Sequence, residues 1–375
     1  MQYSTFAAID IGSYDVILEI FEISKKQGIR SVDKICHRME LGKDTYTLGK
    51  IRPEMEEELC RVLADFVRIM EGYRVDDYRA TASSAISEAS NSLYVLGKIH
   101  QLTGLSVTVL SNSEQRFLSY KALAAMEDNF NKIIEKGTAI LDLDGGSFQI
   151  SLFDKDALVT TQNIRMGSLR IRERLAGIQS ETEHYEEMVE ELIWNEVSSF
   201  KKMYLKDRKI ENIMLIGDVF TDSVYQNIEE KTTKIISREN FNTWYEKIIR
   251  QSPMELAVKL GIPLENASLM YPSAVIYKCL IDMMGAEHIW IPGVHMTRGI
   301  AYEYAEQMKL LKGGHNFEND ILMAAKNIGK RYAVNRPHVQ NLEMTALAMF
   351  DATKKMHGMK ERERLLLQMA VMLHD

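Results

Sequence analysis

The sequence predicts a duplicated α/β protein, two similar lobes facing each other across a cleft, with a helical segment after them. Three observations carry that expectation. Residues 139–153, AILDLDGGSFQISLF, read as a strand, a Gly145-Gly146 turn and a second strand, with Asp142 late in the first. Residues 7–21, AAIDIGSYDVILEIF, repeat the plan with Asp10 and a Gly12-Ser13 turn. The repeat comes about 130 residues earlier, the spacing of a duplicated domain rather than of a short tandem array. Finally, the last 60 or so residues show only helical apolar spacing, at Leu342, Ala346, Met349 and Phe350 and again at Leu365, Leu366, Met369 and Met372.

A glycine turn exposes backbone N–H groups that cradle phosphate, and carboxylates such as Asp142 and Asp144 hold divalent cations. One such hairpin alone is equally an ordinary hairpin with a polar tip. Two of them facing each other are what a nucleotide or phosphate cleft requires.

In the first lobe, Lys25-Lys26-Gln27-Gly28 reads as a turn and residues 29–41 as a third strand. Pro53 opens a helix whose Leu59, Val62, Leu63, Phe66, Ile69 and Met70 share one face. A strand ending near 79–83, a helix with Leu93, Leu96 and Ile99, and a strand over 106–110 follow. Ser113 is placed as the N-cap of the next helix, with Glu114 in its first turn. A carboxylate there is favoured by the helix dipole, whether as a plain helix-start charge or as part of a site.

A polar link over 129–137 leads to the second lobe. After its hairpin come a strand over 157–164 and a basic cluster, Arg165, Arg170, Arg172 and Arg174. That cluster suits an anionic substrate or a solvated helix face. Ser180 and Glu183 have capping-box spacing, opening a helix through Tyr185, Val189, Ile193 and Phe200. A buried strand over 213–216 ends at Gly217-Asp218, and helices are expected over 238–250, 253–260 and 273–284. A strand over 288–291 and a helix over 297–311 close this lobe, and Lys312-Gly313-Gly314 reads as a linker. The expected units are therefore 1–126, 127–312 and 313–375.

Composition narrows the function classes. The 375 residues are 46% hydrophobic and 26% charged, as in a globular protein, and the net charge of −7 argues against a nucleic-acid surface. Cys36, Cys60 and Cys279 have no paired spacing, which points to reduced thiols in a cytoplasmic protein. Neither a signal peptide nor a membrane-length apolar run is visible. The sequence stops at His374-Asp375 inside an apolar helical pattern, as a fragment of a longer protein would.

In order and spacing, these motifs resemble the exopolyphosphatase / guanosine pentaphosphate phosphatase (Ppx/GppA) family. Asp10-Ile11-Gly12-Ser13 resembles its first phosphate loop, and Asp142-Leu143-Asp144-Gly145-Gly146-Ser147 its second. Leu110 to Glu114 resembles the segment with its catalytic glutamate, Arg165 to Ser168 the segment after the second loop, and Asp282 to Glu303 its closing strand and helix. The resemblance implies the actin-like fold of acetate kinase, Hsp70 and actin, RNase H-like in each lobe, followed by a helical domain of HD type. It implies hydrolysis of the terminal phosphoanhydride of inorganic polyphosphate or of a guanosine penta- or tetraphosphate. Asp10 and Asp142 would hold Mg²⁺ (or Mn²⁺), the turns at Gly12, Ser13, Gly145, Gly146 and Ser147 would cradle phosphate, and Glu114 would activate water. A homodimer is implied as well. His338 with His374 and Asp375 resembles the start of an HD-type metal site.

The chain departs from the family pattern where the chemistry lies. Tyr14-Asp15 replaces Asn-Ser, Asp144 a glycine, Phe148 a threonine and Gln149 a glutamate, while Ser87 aligns with an arginine. Gly217-Asp218 stands in for a Gly-rich turn, and Gln115 for the second residue of a Glu-Glu pair. These changes add negative charge where phosphate sits, which a bound cation offsets. They also define an alternative, a catalytically degenerate member that binds polyphosphate or nucleotide, or regulates.

Overall fold

The computed structural model describes residues 3–126, 130–155, 157–176, 185–206, 208–227, 234–311, 315 and 317–374. The expected capping box at Ser180 and Glu183, the 312–314 linker and Asp375 lie outside them.

The first sheet contains β1 (Ser4–Ile11), β2 (Asp15–Ser24), β3 (Gly28–Arg38), β4 (Asp77–Ala82) and β5 (Val107–Val109), in the order β3-β2-β1-β4-β5. The second contains β6 (Thr138–Leu143), β7 (Phe148–Asp154), β8 (Ala157–Ile164), β9 (Asn212–Ile216), β10 (Ile235–Ser237) and β11 (His288–Trp290), in the order β10-β11-β9-β6-β7-β8. Both share one plan. The first strand pairs antiparallel with the second and parallel with the fourth, β1 with β2 and β4, β6 with β7 and β9. Asp10 lies opposite Ile17 and Thr81, and Asp142 opposite Gln149 and Ile216. The duplication read from the sequence is therefore present strand for strand, and the twin acids hold equivalent positions.

Strand periodicity decides which way those acids point. In β1, Ala7, Ile9 and Ile11 join the core of the first lobe, while Phe6 and Ala8 enter a cluster on the opposite face. Asp10 shares the parity of Phe6 and Ala8. In β6, Ala139, Leu141 and Leu143 enter the core of the second lobe and Ile140 faces the other way, with the parity of Asp142. Central strands with both faces covered need this unbroken apolar run.

The two faces that carry the acids are covered by two long helices, each of which reaches across to the sheet of the other lobe. The helix Asn112–Met126, placed by sequence in the first lobe, packs Tyr120, Ala122 and Leu123 with Ile140, Phe153 and Met214 of the second. The helix Met296–Gln307, placed in the second lobe, packs Ile300, Ala301 and Tyr304 with Phe6, Ala8 and Phe21 of the first. Tyr304 stacks on Phe6 with ring centroids 4.1 Å apart, and Thr297 donates to Glu19 at 2.5 Å. The two helices touch where Gly299 meets the Leu118 backbone, an approach so close that a Cβ would strike the Leu118 carbonyl. They form a spine between the sheets.

Smaller differences have local causes. Residues 41–48 form a helix rather than the end of β3, because Glu40 adopts a left-handed conformation, φ 43°, and breaks the strand. Leu264–Met284 begins earlier than expected and carries Pro272 inside it. After the spine, Phe317–Arg331 lies along β8, where Asn327 donates to the Leu158 and Val159 carbonyls at 3.3 Å. Arg336–Ala352 and Glu361–Met372 pack together beyond it. Among the described residues, no helix is long and apolar enough to cross a membrane.

Candidate active site

A cleft of about 400 Å³ opens between the lobes at the ends of β1, β6 and β9. Its walls include Asp10, Asp15, Asp142, Asp144, Gln149 and Asp218. The two hairpin turns that shape it close alike. Gly12 N–H donates to the Asp15 carbonyl, and Asp144 N–H to the Ser147 carbonyl, each at 2.9 Å. Asp144 is thus the counterpart of Gly12, and Ser147 of Asp15.

Crowded carboxylates in a partly dry cleft hold their protons more tightly. Burial pushes Asp10 well above the ordinary carboxylate range, and Asp15, Asp144 and Asp142 push it further. Burial raises Asp142 to about 6, against the Ser119 hydroxyl that donates to its Oδ2 at 2.7 Å. Burial likewise raises Asp144 to about 6 and Asp218 to about 7, and lifts Asp15. Asp218 is fixed by the Thr221 N–H at 3.1 Å and the Tyr277 hydroxyl at 3.2 Å, both donating to Oδ1.

Three acceptor oxygens of this cleft, Asp10 Oδ1, Gln149 Oε1 and Asp218 Oδ2, are buried without a hydrogen-bond partner. Buried acceptors are costly unless something satisfies them, and hard oxygen atoms suit a hard cation. Among the described residues no three His, Cys, Asp or Glu side chains converge as a ready ligand set. That excludes a preformed cage of zinc type at the cleft but fits Mg²⁺, which keeps several waters and takes one or two carboxylates plus substrate oxygens.

The expected water activator is not brought to the cleft. Ser111, not Ser113, caps the helix, and Glu114 Oε2 accepts from the Ser111 N–H at 2.8 Å and its hydroxyl at 2.7 Å. Glu114 is exposed, and these bonds hold its carboxyl below the ordinary range. Its neighbour Gln115 lines the cleft instead, donating to the Leu110 carbonyl at 3.2 Å. The Ser-x-x-Glu spacing of a capping box was the available signal.

The turn residues named as a phosphate cradle come together, but not all of them are free. Gly12 N–H closes its own turn, and Gly145 N–H is taken at 2.6 Å by Asp144 Oδ1. Ser13 Oγ lies 2.7 Å from Tyr46 Oη and 3.1 Å from Ser84 Oγ. Gly146 sits so close to Tyr46 that no side chain fits between them. Of the basic cluster, Arg170 pairs with Glu88 at 3.0 Å and lies over the Tyr46 ring, and Arg172 grips Glu40 at 2.8 and 2.9 Å. Both bridge the lobes instead of awaiting an anion. Lys34, Arg38 and His295 line the cleft, and spacing alone did not single them out. In the C-terminal helices His338 and His374 do meet, with Nε2 atoms 3.4 Å apart.

This geometry has relatives. An exopolyphosphatase from Cytophaga hutchinsonii shares the fold with a TM-score of 0.73 at 17% identity, over 81% of this chain and 98% of that one. The bifunctional 3-dehydroquinate synthase/phosphatase of Fusobacterium nucleatum is 21% identical over 310 residues, 76% of this chain and 44% of its own. Exopolyphosphatase 1 of Mycobacterium leprae is 25% identical over 144 residues, 38% of this chain and 41% of its own. The chain thus spans less than half the length of these two curated relatives. The Ppx/GppA phosphatase family model matches residues 19–308, from the second strand of the first hairpin to just past the Met296–Gln307 helix. The match leaves out β1 and the Gly12-Ser13 turn but takes in the rest of both lobes and the spine, well over half of the sequence, so the chain belongs to the Ppx/GppA phosphatase family.

Proposed function

We propose that the chain is a divalent-cation-dependent phosphatase acting on the terminal phosphoanhydride of inorganic polyphosphate or of a guanosine pentaphosphate. The observation that carries this reading is the pair Asp10 and Asp142, at equivalent strand positions on two lobes, lining one cleft in which Asp10 Oδ1 has no partner. Asp10 and Asp142 would hold Mg²⁺ or Mn²⁺, which neutralises charge on phosphoryl oxygens. The free N–H groups of the glycine turns orient the terminal phosphate. Asp218, held by Thr221 and Tyr277 with Oδ2 unpartnered, takes the proton of the attacking water in place of Glu114. Its proton affinity, near 7, suits that task.

The test is phosphate release from long-chain polyphosphate and from guanosine pentaphosphate, in Mg²⁺ and in EDTA. Release should require the cation and fall by on the order of 10² or more in Asp142→Asn. No release from either substrate in Mg²⁺ would overturn the reading.

A second reading, binding without turnover, is favoured by one observation: the neutral Gln115 stands at the cleft while Glu114 caps a helix. Calorimetric binding of polyphosphate without phosphate release supports it. Gain of release in Gln115→Glu would then identify the missing proton acceptor.

A further inference from the structure

Asp144 has no task in the chemistry above, yet its carboxylate is engaged at the turn of the second hairpin. It stands where the first hairpin has Gly12. Its Oδ1 accepts the Gly145 N–H at 2.6 Å, and its carboxylate lies close to Ser13 of the facing lobe. Ser13 is wholly buried and held from behind by Tyr46 and Ser84. The hydroxyls of Ser13, Tyr46 and Ser84 lie within hydrogen-bond reach of one another. A backbone N–H of a glycine loop is a donor an incoming phosphate oxygen would use. The protein's own carboxylate already holds the one at Gly145.

We propose that Asp144 is a built-in occupant of the anion cradle, a specificity-determining residue that admits a phosphate chain only when a divalent cation accompanies it. The inference rests on the phosphate-site reading given above. A bare polyphosphate must compete with Asp144 for the Gly145 N–H while facing Asp10, Asp15 and Asp142. Like charges at this range, away from bulk water, repel strongly. A cation would cancel the charge of the arriving oxygens, so cradle and substrate become compatible together. Glycine at this position, as at Gly12, would leave the Gly145 N–H open to any oxyanion.

The test measures binding, not turnover. Tripolyphosphate is titrated calorimetrically into the parent, Asp144→Asn and Asp144→Gly, each in Mg²⁺ and in EDTA. Asparagine keeps the size and an acceptor atom and removes only the charge; glycine empties the cradle. The parent should bind at least about a hundredfold more weakly in EDTA than in Mg²⁺. Both variants should gain about tenfold or more in EDTA and change less than about threefold in Mg²⁺. Variants as cation-dependent as the parent would overturn the role of Asp144 and leave the phosphate site standing. A parent that binds equally well in EDTA would do the same. If no protein binds tripolyphosphate in either buffer, the phosphate-site reading falls, and this inference with it.

Discussion

Replacing Gly146 with alanine tests the contact that joins the two hairpin turns through Tyr46. The backbone does not resist the change, because Gly146 is not among the positions with positive φ. The new Cβ, however, would lie 2.5 Å from Ser84 Oγ, 2.8 Å from Tyr46 Cζ and closer still to Tyr46 Oη. Tyr46 cannot swing away freely: its hydroxyl meets Ser13 and Ser84, and Arg170 lies 3.8 Å above its ring. Overpacking of this kind costs about 1–3 kcal/mol, and each hydroxyl contact broken adds about 1 kcal/mol. The expected loss is therefore about 3 kcal/mol, read from urea denaturation. Tyr46→Ala removes the obstructing ring, and in that background Gly146→Ala should cost less than about 1 kcal/mol, helped by the lower entropy of the unfolded alanine chain. The double-mutant cycle should thus show a coupling of about 2 kcal/mol. Equal costs in the two backgrounds would refute the steric argument.

Three further outcomes are expected. Glu114→Gln should lose about 1 kcal/mol of stability through its helix cap while phosphate release stays within about twofold; a hundredfold slower rate at unchanged stability would return the base role to Glu114. If Asp218 is the proton acceptor it must be ionised, so release should decline as pH falls through about 7 and level off above it. Asp218→Asn should lower kcat on the order of 10² to 10⁴ while substrate still binds, and an unaltered pH profile in that variant would sink the assignment. Asp142 titrates near 6 in the fold against roughly 3.9 in the unfolded chain, so its contribution to stability is complete below about 4 and is lost as pH rises through about 6. Melting curves of the parent compared with Asp142→Asn, without Mg²⁺, should therefore show the variant gaining ground between pH 4 and about 7; a constant difference contradicts the burial of that charge.

The hairpins were legible in the sequence because period-two strands, a terminal acid and a glycine turn are local features, and their recurrence revealed the second lobe. Even the boundaries of β8 and of the Pro253–Leu260 helix match the expectation. The allegiance of the spine helices was not legible. Met296–Gln307 buries residues on several sides, Thr297, Gly299, Ile300, Tyr302 and Tyr304, so its pattern reports burial but not which sheet supplies it. Glu114 lies in the first helical turn as expected, but its distance from the cleft has a narrow cause. Moving the N-cap from Ser113 back to Ser111 shifts Glu114 into the reciprocal position of a capping box, and the adjacent side chain points about 100° away around the helix. Asp218 was noted as a departure but given no role, since only the assembled sheet shows that β9 ends beside β6 at the cleft.

The exchange of helices across the spine also constrains how the protein is made. Phe6, Ala8 and Phe21 leave the ribosome among the first residues, yet Ile300, Ala301 and Tyr304, which cover them, emerge near the end of this stretch. At synthesis rates of about 5–20 residues per second, that sheet face waits on the order of tens of seconds for its cover. The matching face of the second sheet meets its first cover at once, because the Asn112–Met126 helix is synthesised just before β6. The face of the first sheet thus stays uncovered longest, leaving it dependent on chaperones or on a temporary partner until the chain returns to it.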